Sequence, residues 1–179
     1  MAEKFDIIIL GGGPAGLTAA IYAARARLRP LVLDTGTIGG QTVLTYAVAN
    51  YPGVEETSGR ELSQTMLRQA KSFGAKVIPY AVVTHLDLAS TTKRVEVEDE
   101  GAFEAPAVIL APGGRPRTLG LETESRFEGQ GISHCATCDG DFFTDKEIVV
   151  VGGGNSALEE AVSLTKYASK VTVLHILDE

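Results

Sequence analysis

The same sequence unit occurs twice in this chain, and the repetition constrains the fold more than any other feature. Residues 6–34 and 147–175 each contain a short apolar run, a G-x-G-x-x-G/A turn, an amphipathic stretch and a second apolar run. Short β-branched runs bounded by glycine are typical of buried parallel strands. The pattern predicts an α/β fold built from two Rossmann-like, doubly wound, three-layer dinucleotide-binding units.

The small residues of each turn have separate tasks. Gly11 and Gly13 allow a tight turn and a close approach of the backbone to a pyrophosphate. The third position, Gly16 in the first copy and Ala157 in the second, must be small because helix and strand touch there. The N–H groups at the start of the following helix are then free to bind phosphate.

The residue that closes each unit differs between the two copies. Asp34 can accept hydrogen bonds from a ribose, which suits the AMP half of a flavin dinucleotide or NAD. His175 stands at the matching position of the second copy. Without a carboxylate there, a 2′-phosphate is not repelled and NADP becomes possible. The alternative is that His175 is simply the last residue of a strand.

The segments between the two units have their own patterns. Residues 36–53 read as a long glycine-containing loop of the kind that often lines a site. Residues 58–74 predict a helix with Ser58 as its N-cap and Glu61 three residues later. Residues 76–88 and 94–99 alternate as strands of a smaller antiparallel sheet. The boundary between two domains is expected between Gly114 and Leu119.

Composition and charge exclude several classes of function. The chain has 179 residues and a net charge of −7, which argues against nucleic acid or an anionic membrane as its main partner. No run approaches the roughly 18 apolar residues of a membrane span. The opening residues do not resemble a signal peptide, so we expect a cytoplasmic protein. In that compartment a pair of cysteines is more often catalytic or metal-bound than structural.

Cys135 and Cys138 lie in the stretch SHCATCDG and leave three interpretations open. A structural zinc site generally needs four ligands, but the chain has no second cysteine pair and only scattered histidines. Two inert buried thiols are a second interpretation. A redox-active pair is favoured, since C-x-x-C spacing lets the sulfurs bond and lowers a thiol pKa. Asp139 could move the proton of dithiol–disulfide exchange or merely cap the next segment.

Five stretches of this sequence, GGGPAG, GGQT, NYPG, SHCATCDG and GGGNSALEEA, together resemble the low-molecular-weight thioredoxin reductases. The resemblance implies an FAD-binding domain over residues 1–116 and the start of an NAD(P)H-binding domain over residues 117–179. It also implies a homodimer that reduces thioredoxin or a similar protein disulfide. Cys138 would face the flavin, Cys135 would attack thioredoxin and Asp139 would act as the acid.

The same resemblance implies two sets of cofactor-binding residues. The set expected to bind FAD is Gly11, Gly13, Pro14, Ala15, Gly16, Asp34, Thr35, Gly40, Gln41, Asn50, Val83, Ala111 and Gly113. The set expected to bind NADPH or NADH is Gly152, Gly154, Asn155, Ser156 and His175. No metal site is expected.

Three departures from the family pattern bear on function. His175, Ile176 and Leu177 replace the HRR that is usual with NADPH, and bidentate arginine contacts to phosphate are not easily substituted. A ferredoxin-dependent enzyme is therefore an alternative. Pro112 replaces the threonine of an ATG sequence and removes a backbone donor. The chain stops within the second unit, which predicts an incomplete second domain and a fragment of a longer protein. A non-catalytic nucleotide-binding fragment is the competing class of function.

Overall fold

The computed structural model describes residues 2–175, and the chain divides into two compact units, Met1–Arg115 and Pro116–Glu179. The strands are β1 (Glu3–Lys4), β2 (Ile7–Leu10), β3 (Pro30–Leu33), β4 (Lys76–Ile78), β5 (Val83–Asp87), β6 (Lys93–Val97), β7 (Gly101–Ala105), β8 (Ala107–Leu110), β9 (Glu147–Val151) and β10 (Lys170–Leu174). The helices are α1 (Pro14–Arg25), α2 (Gly59–Ser72), α3 (Glu124–Phe127), α4 (Ala136–Asp139) and α5 (Asn155–Leu164). Short 3-10 helices cover Gly40–Leu44 and Gly140–Phe143.

The first unit is built around a four-stranded parallel sheet with the order β4-β3-β2-β8. Strands β2 and β3 are apolar along their whole length because both faces of this sheet are covered. Ile9 packs with Leu17 of α1 and Met66 of α2 on one face. Ile8 packs with Phe103 of β7 on the other face. Alternate side chains of a strand point to opposite faces, and the result is the predicted three-layer α/β arrangement.

The third layer of this unit is a four-stranded mixed sheet with the order β1-β7-β6-β5. Strands β5, β6 and β7 pair antiparallel, and β1 runs parallel to β7. Val95 and Phe103 are buried beneath the parallel sheet. The mixed sheet therefore covers the face of the parallel sheet that is opposite to helices α1 and α2.

The prediction that residues 76–88 belong to the antiparallel sheet was wrong for the first part of that segment. Lys76–Ile78 pairs with β3 in the parallel sheet, and only Val83–Asp87 joins the antiparallel sheet. The chain changes sheets at Tyr80, which has a positive φ of 55°. Ala81 donates its amide to the carbonyl oxygen of Asp34 at 2.7 Å, which holds the crossing point against the end of β3.

The second unit contains a two-stranded parallel sheet of β9 and β10 with helix α5 between them in sequence. The register pairs Glu147 with Lys170 and Val151 with Leu174. Within the described residues this sheet has two strands, compared with four in the first unit. Val149, Val173 and Leu174 are exposed on it. Within residues 2–175 the second Rossmann-like unit therefore has half as many parallel strands as the first.

Helix α2 begins where the sequence predicts. Ser58 is the N-cap, its Oγ accepts the amide of Glu61 at 3.2 Å, and the Glu61 carboxylate accepts the Ser58 amide at 3.4 Å. These reciprocal bonds form a capping box, which satisfies two donors that the helix start would otherwise leave unpaired. Among residues 2–175, no helix combines the length and apolar content that crossing a membrane requires.

Loss of the Ser58 hydroxyl should destabilise the chain measurably. We expect Ser58→Ala to lower the free energy of unfolding by about 1 kcal/mol, because one N-cap bond is removed. Ser72→Ala, at the other end of the same helix, is the matched control and should change it by less than about 0.5 kcal/mol. Urea unfolding followed by circular dichroism measures both values. Equal effects of the two substitutions would contradict the assigned cap.

The capping box should also make stability depend on pH. The amide of Ser58, the Ser58 hydroxyl and the Thr57 hydroxyl all lower the pKa of Glu61. A carboxyl with a lowered pKa in the folded state adds stability above its unfolded pKa and loses it as the pH falls through the folded pKa. The stability difference between the wild type and Glu61→Gln should therefore be full at neutral pH and vanish in acid. A difference in the free energy of unfolding that stays constant from neutral to acidic pH would contradict the capping box.

Candidate functional site

The glycine-rich turn of the first unit is held by contacts between backbone atoms. Gly11 has a φ of 112°, and a Cβ added there would overlap the carbonyl oxygen of Ala111. A Cβ added at Gly16 would overlap the carbonyl oxygen of Gly11. Helix α1 can approach the end of β2 only because Gly16 has no side chain, as expected for the third small position.

The start of α1 offers unpaired donors beside this turn. The helix begins at Pro14, and its N-cap, Gly13, provides no side-chain cap. Among the described residues, the amides of Ala15 and Gly16 have no acceptor. A helix start with free N–H groups is suited to bind a phosphate. A Cβ added at Gly13 would meet only the Cα of Gly40, at 4.0 Å, so the backbone is open to a ligand there.

Asp34 lies beside the same turn and organises it. Its Oδ2 accepts the amide of Gly12 at 2.5 Å, and its Oδ1 accepts the amide of Gly36 at 2.7 Å. A carboxylate has about four acceptor positions, so it can still accept bonds from ribose hydroxyls. The turn, the free amides and this carboxylate together fit the pyrophosphate and ribose of a dinucleotide such as FAD.

The other residues expected at FAD lie at different distances from this turn. Ala111 contacts it, since its amide donates to the carbonyl oxygen of Leu10 at 2.8 Å. Thr35, Gln41, Asn50 and Gly113 are exposed, and Val83 starts strand β5 on the edge of the core. In the described part of the chain, no side-chain hydrogen bond ties Gln41 or Asn50 to the turn.

The second unit repeats the backbone of the turn with a different closing residue. Gly152 has a φ of 134°, and α5 starts at Asn155 with Gly154 as its N-cap and Ser156 exposed in its first turn. The ring of His175 lies against Gly153, where the first copy has Asp34 beside Gly12. The second site therefore has no carboxylate at this position. Ile176 and Leu177, the predicted substitutes for two arginines, lie outside the described residues.

Cys135 and Cys138 form a disulfide at the start of helix α4. Their Cα atoms are 5.3 Å apart. The amide of Cys138 donates to Sγ of Cys135 at 3.2 Å, so the two residues are joined by a hydrogen bond as well as by the covalent bond. Cys138 is exposed and Cys135 is half-buried. The bonded pair agrees with the redox interpretation of the C-x-x-C stretch.

Asp139 makes a side-chain contact that its capping interpretation does not include. It precedes the 3-10 helix Gly140–Phe143 but forms no side-chain cap there. Instead its Oδ2 accepts a hydrogen bond of 2.5 Å from Oγ of Ser133. The same Oγ accepts the amide of Cys135 at 3.1 Å. The Ser133 hydroxyl thus links the Asp139 carboxylate to the backbone of Cys135.

A cavity of about 430 Å³ lies within the second unit, and Cys135 and Asp139 line it. Two further carboxylates reach this cavity. Glu160 of α5 accepts the amide of Ala136 at 3.4 Å, and the nearly buried Glu124 accepts the amides of Leu119 and Gly120 at 2.8 and 3.0 Å. Glu160 thus connects α5, the helix that follows the second glycine-rich turn, to α4, the helix that carries the cysteines. No pattern in the sequence indicates that contact.

The sequence does carry a weak signal for Ser133. A serine hydroxyl often pairs with backbone groups one or two residues along the chain, and Ser133 stands two residues before Cys135. The contact with Asp139 is not part of that pattern, because it depends on the turn made by the cysteine helix. Ser133 is not among the site residues that the sequence predicts.

Fold and site together define a class of protein, namely dinucleotide-binding proteins of two Rossmann-like units that carry a disulfide in the second unit. The family model described as pyridine nucleotide-disulphide oxidoreductase matches residues 5–179. The chain therefore belongs to the pyridine nucleotide-disulphide oxidoreductase family.

Relatives with known names confirm the resemblance to thioredoxin reductases. The chain is 46% identical to the thioredoxin reductase of Peptoclostridium acidaminophilum over 180 residues, which cover 100% of this chain and 56% of the relative. It is also 46% identical to that of Bacillus subtilis (strain 168), covering 100% of this chain and 57% of the relative. This chain thus spans a little over half the length of these curated relatives.

A solved structure agrees with this relationship. The crystal structure of thioredoxin reductase from Streptococcus pyogenes MGAS5005 matches with a TM-score of 0.91 and 42% sequence identity. The match covers 100% of this chain and 58% of the solved chain. The α/β fold of two dinucleotide-binding units is therefore shared with a thioredoxin reductase.

Two glycines of the first turn should respond differently to a methyl group. Gly16→Ala should destabilise the chain, by roughly 1–3 kcal/mol, because its Cβ collides with the Gly11 carbonyl. Gly13→Ala has room for the methyl group and should leave the stability nearly unchanged. It should nevertheless weaken FAD binding, since the methyl group occupies the space over the free amides. Thermal unfolding and fluorescence titration with FAD measure the two effects. Unchanged FAD affinity in Gly13→Ala would contradict a cofactor site at this turn.

Proposed function

We propose that this chain belongs to a thioredoxin reductase that passes electrons from NAD(P)H, through FAD and the Cys135–Cys138 disulfide, to thioredoxin or a similar protein disulfide. The observation that carries this proposal is the disulfide held beside a hydrogen-bonded carboxylate in a chain with two dinucleotide-type turns. The similarity to thioredoxin reductases supports it. A homodimer in the cytoplasm is part of the same proposal.

Residues 1–116 would form the FAD-binding part. The free amides of Ala15 and Gly16 would bind the pyrophosphate, and Asp34 would accept bonds from the ribose that lies next to it. Ala111 would close the other side of the turn, through its contact with Gly11. When bound, FAD takes two electrons from a reduced nicotinamide and delivers them to a disulfide.

Residues 117–179 would bind the nicotinamide dinucleotide at Gly152, Gly154, Asn155 and Ser156. His175 brings no negative charge to the ribose position, so a 2′-phosphate would not be repelled there. The two arginines that usually bind the 2′-phosphate of NADPH are replaced by Ile176 and Leu177, so NADPH and NADH are both proposed as donors. Ferredoxin is the alternative electron donor, and an anaerobic visible spectrum distinguishes it from a nicotinamide nucleotide.

Cys135 is proposed as the nucleophile of the reduced pair and Cys138 as the cysteine that faces the flavin. The amide of Cys138 points at Sγ of Cys135, and a hydrogen bond to a sulfur favours its thiolate form. The Cys135 thiolate attacks one sulfur of the substrate disulfide, and the other leaves as a thiolate. The Cys138 thiolate then attacks Sγ of Cys135, which releases the substrate as a dithiol. Asp139 carries the proton between Cys138 and the leaving group.

An anaerobic visible spectrum of the purified full-length protein tests the electron path. We expect flavin absorption that bleaches when NADPH or NADH is added. Flavin bands that persist with both nucleotides but bleach with reduced ferredoxin would favour the alternative donor. A protein that binds no flavin when FAD is supplied would contradict the proposal and favour a non-catalytic nucleotide-binding protein.

The roles of the two cysteines can be separated with thioredoxin as the probe. Cys138→Ser leaves Cys135 free to attack but removes the cysteine that releases the substrate. We expect this variant to accumulate a covalent adduct with oxidised thioredoxin on a non-reducing gel. Cys135→Ser is the matched control and should form little adduct. An adduct that forms preferentially with Cys135→Ser would reverse the assignment.

A further inference from the structure

We propose that Ser133 is a positioning residue that holds the carboxylate of Asp139 in place for proton transfer at the cysteine pair. This inference rests on the proposed function, in which Asp139 moves the proton of dithiol–disulfide exchange. It adds a residue to the site and names the atom through which that residue acts, the hydroxyl oxygen Oγ.

The geometry joins three groups in one chain of hydrogen bonds. The amide of Cys135 donates to Oγ of Ser133 at 3.1 Å, and that hydroxyl donates to Oδ2 of Asp139 at 2.5 Å. A hydroxyl has one donor and two acceptor positions. Within residues 2–175, the other acceptor that the Ser133 hydroxyl reaches is the carbonyl oxygen of Cys135, at the longer distance of 3.4 Å. The charged carboxylate is the better acceptor, so the hydroxyl proton is directed to Asp139.

The bond fixes the position of a side chain that little else holds. Asp139 is half-exposed, and within the described residues its carboxylate has no other hydrogen-bond partner. A carboxylate free to rotate spends only part of its time within reach of the cysteine sulfurs. Proton transfer requires the two groups to be within hydrogen-bond distance. Ser133 therefore restricts Asp139 to positions beside the pair.

Ser133 is not required to hold the cysteine helix itself. The amide of Asp139 donates to the carbonyl oxygen of Cys135 at 3.1 Å, and the amide of Cys138 donates to Sγ of Cys135. Glu160 accepts the amide of Ala136 from the other side. These bonds remain when the Ser133 hydroxyl is removed, so its loss should affect the carboxylate more than the helix.

The step that depends on this arrangement is the closing of the disulfide. After Cys135 has formed a mixed disulfide with a substrate sulfur, Cys138 must lose its proton before it can attack. The proton passes to the Asp139 carboxylate and from there to the sulfur of the leaving substrate. The bond between Cys135 and the substrate breaks as the bond between Cys138 and Cys135 forms. The electron pair leaves with the substrate thiolate.

A small aromatic disulfide tests the inference without flavin or nicotinamide. The full chain is reduced, freed of reductant and mixed with dithiobis(nitrobenzoic acid), whose released thiolate is coloured. The first release reports the attack by Cys135, and the second reports the closing step. Ser133→Ala should slow the second release by about tenfold, the size expected when a bond to a charged group is lost. The first release should change little.

Three further variants separate positioning from a general structural effect. Ser133→Thr keeps the hydroxyl and should retain the wild-type rate of the second release. Thr144→Val removes a nearby hydroxyl that bonds the carbonyl oxygen of Asp141, and should also leave the rate unchanged. Asp139→Asn should slow the second release at least as much as Ser133→Ala. The double variant should be no slower than Asp139→Asn alone, because the two residues act as one unit.

The possible outcomes distinguish this inference from the function on which it rests. A wild-type rate in Ser133→Ala, with a slow Asp139→Asn, overturns the role of Ser133 and leaves the proposed function intact. An additional loss in the double variant assigns Ser133 a structural effect independent of Asp139 and overturns the inference as well. A slow Ser133→Thr does the same. Absence of any exchange in the wild type would contradict the proposed function itself.

Discussion

Helix α1 lies against the end of strand β2 at a contact between backbone atoms, where the Cα of Gly16 meets the carbonyl of Gly11. Gly11 in turn lies against the carbonyl of Ala111 at the end of β8. A side chain at Gly16 would force the helix from the sheet, and one at Gly11 would collide with the carbonyl of Ala111. This approach directs the free amides of the helix start to the carboxyl edge of the parallel sheet, where dinucleotides bind in such folds. The two apolar clusters of the three-layer core lie on opposite faces of the parallel sheet whose end makes that contact.

The two units share this backbone and differ in the chemistry at its edge. Asp34 accepts two backbone amides in the first unit, and so couples the glycine-rich turn to the loop that follows β3. His175 occupies the matching position beside Gly153 in the second unit. An imidazole in place of a carboxylate changes which ribose substituents are tolerated. The repeated fold therefore allows two different nucleotides to be proposed for one chain.

The disulfide site is compact in sequence, since Ser133, Cys135, Cys138 and Asp139 lie within seven residues. Its hydrogen bonds run from an amide, through a hydroxyl, to a carboxylate. A single turn of helix places the donor and the acceptor on the same side of the cysteine pair. Glu160 comes from a separate helix and fixes the first amide of that turn. The arrangement of these four residues thus depends on local backbone geometry. The contact with Glu160, which is distant in sequence, holds the start of the cysteine helix.

The sequence by itself determined the features that depend on neighbouring residues. The glycine-rich turns, the Ser58 capping box and the C-x-x-C pair are patterns a few residues long, and the structure reproduces each of them. Tertiary structure decided which strands pair: period-2 alternation is the same in either sheet, so nothing local separates Lys76–Ile78 from Val83–Asp87. It also decided the contacts of Ser133 with Asp139 and of Glu160 with Ala136. Those bonds form only when folding brings the partner residues together, and the spacing of the residues along the chain does not predict which of them will meet.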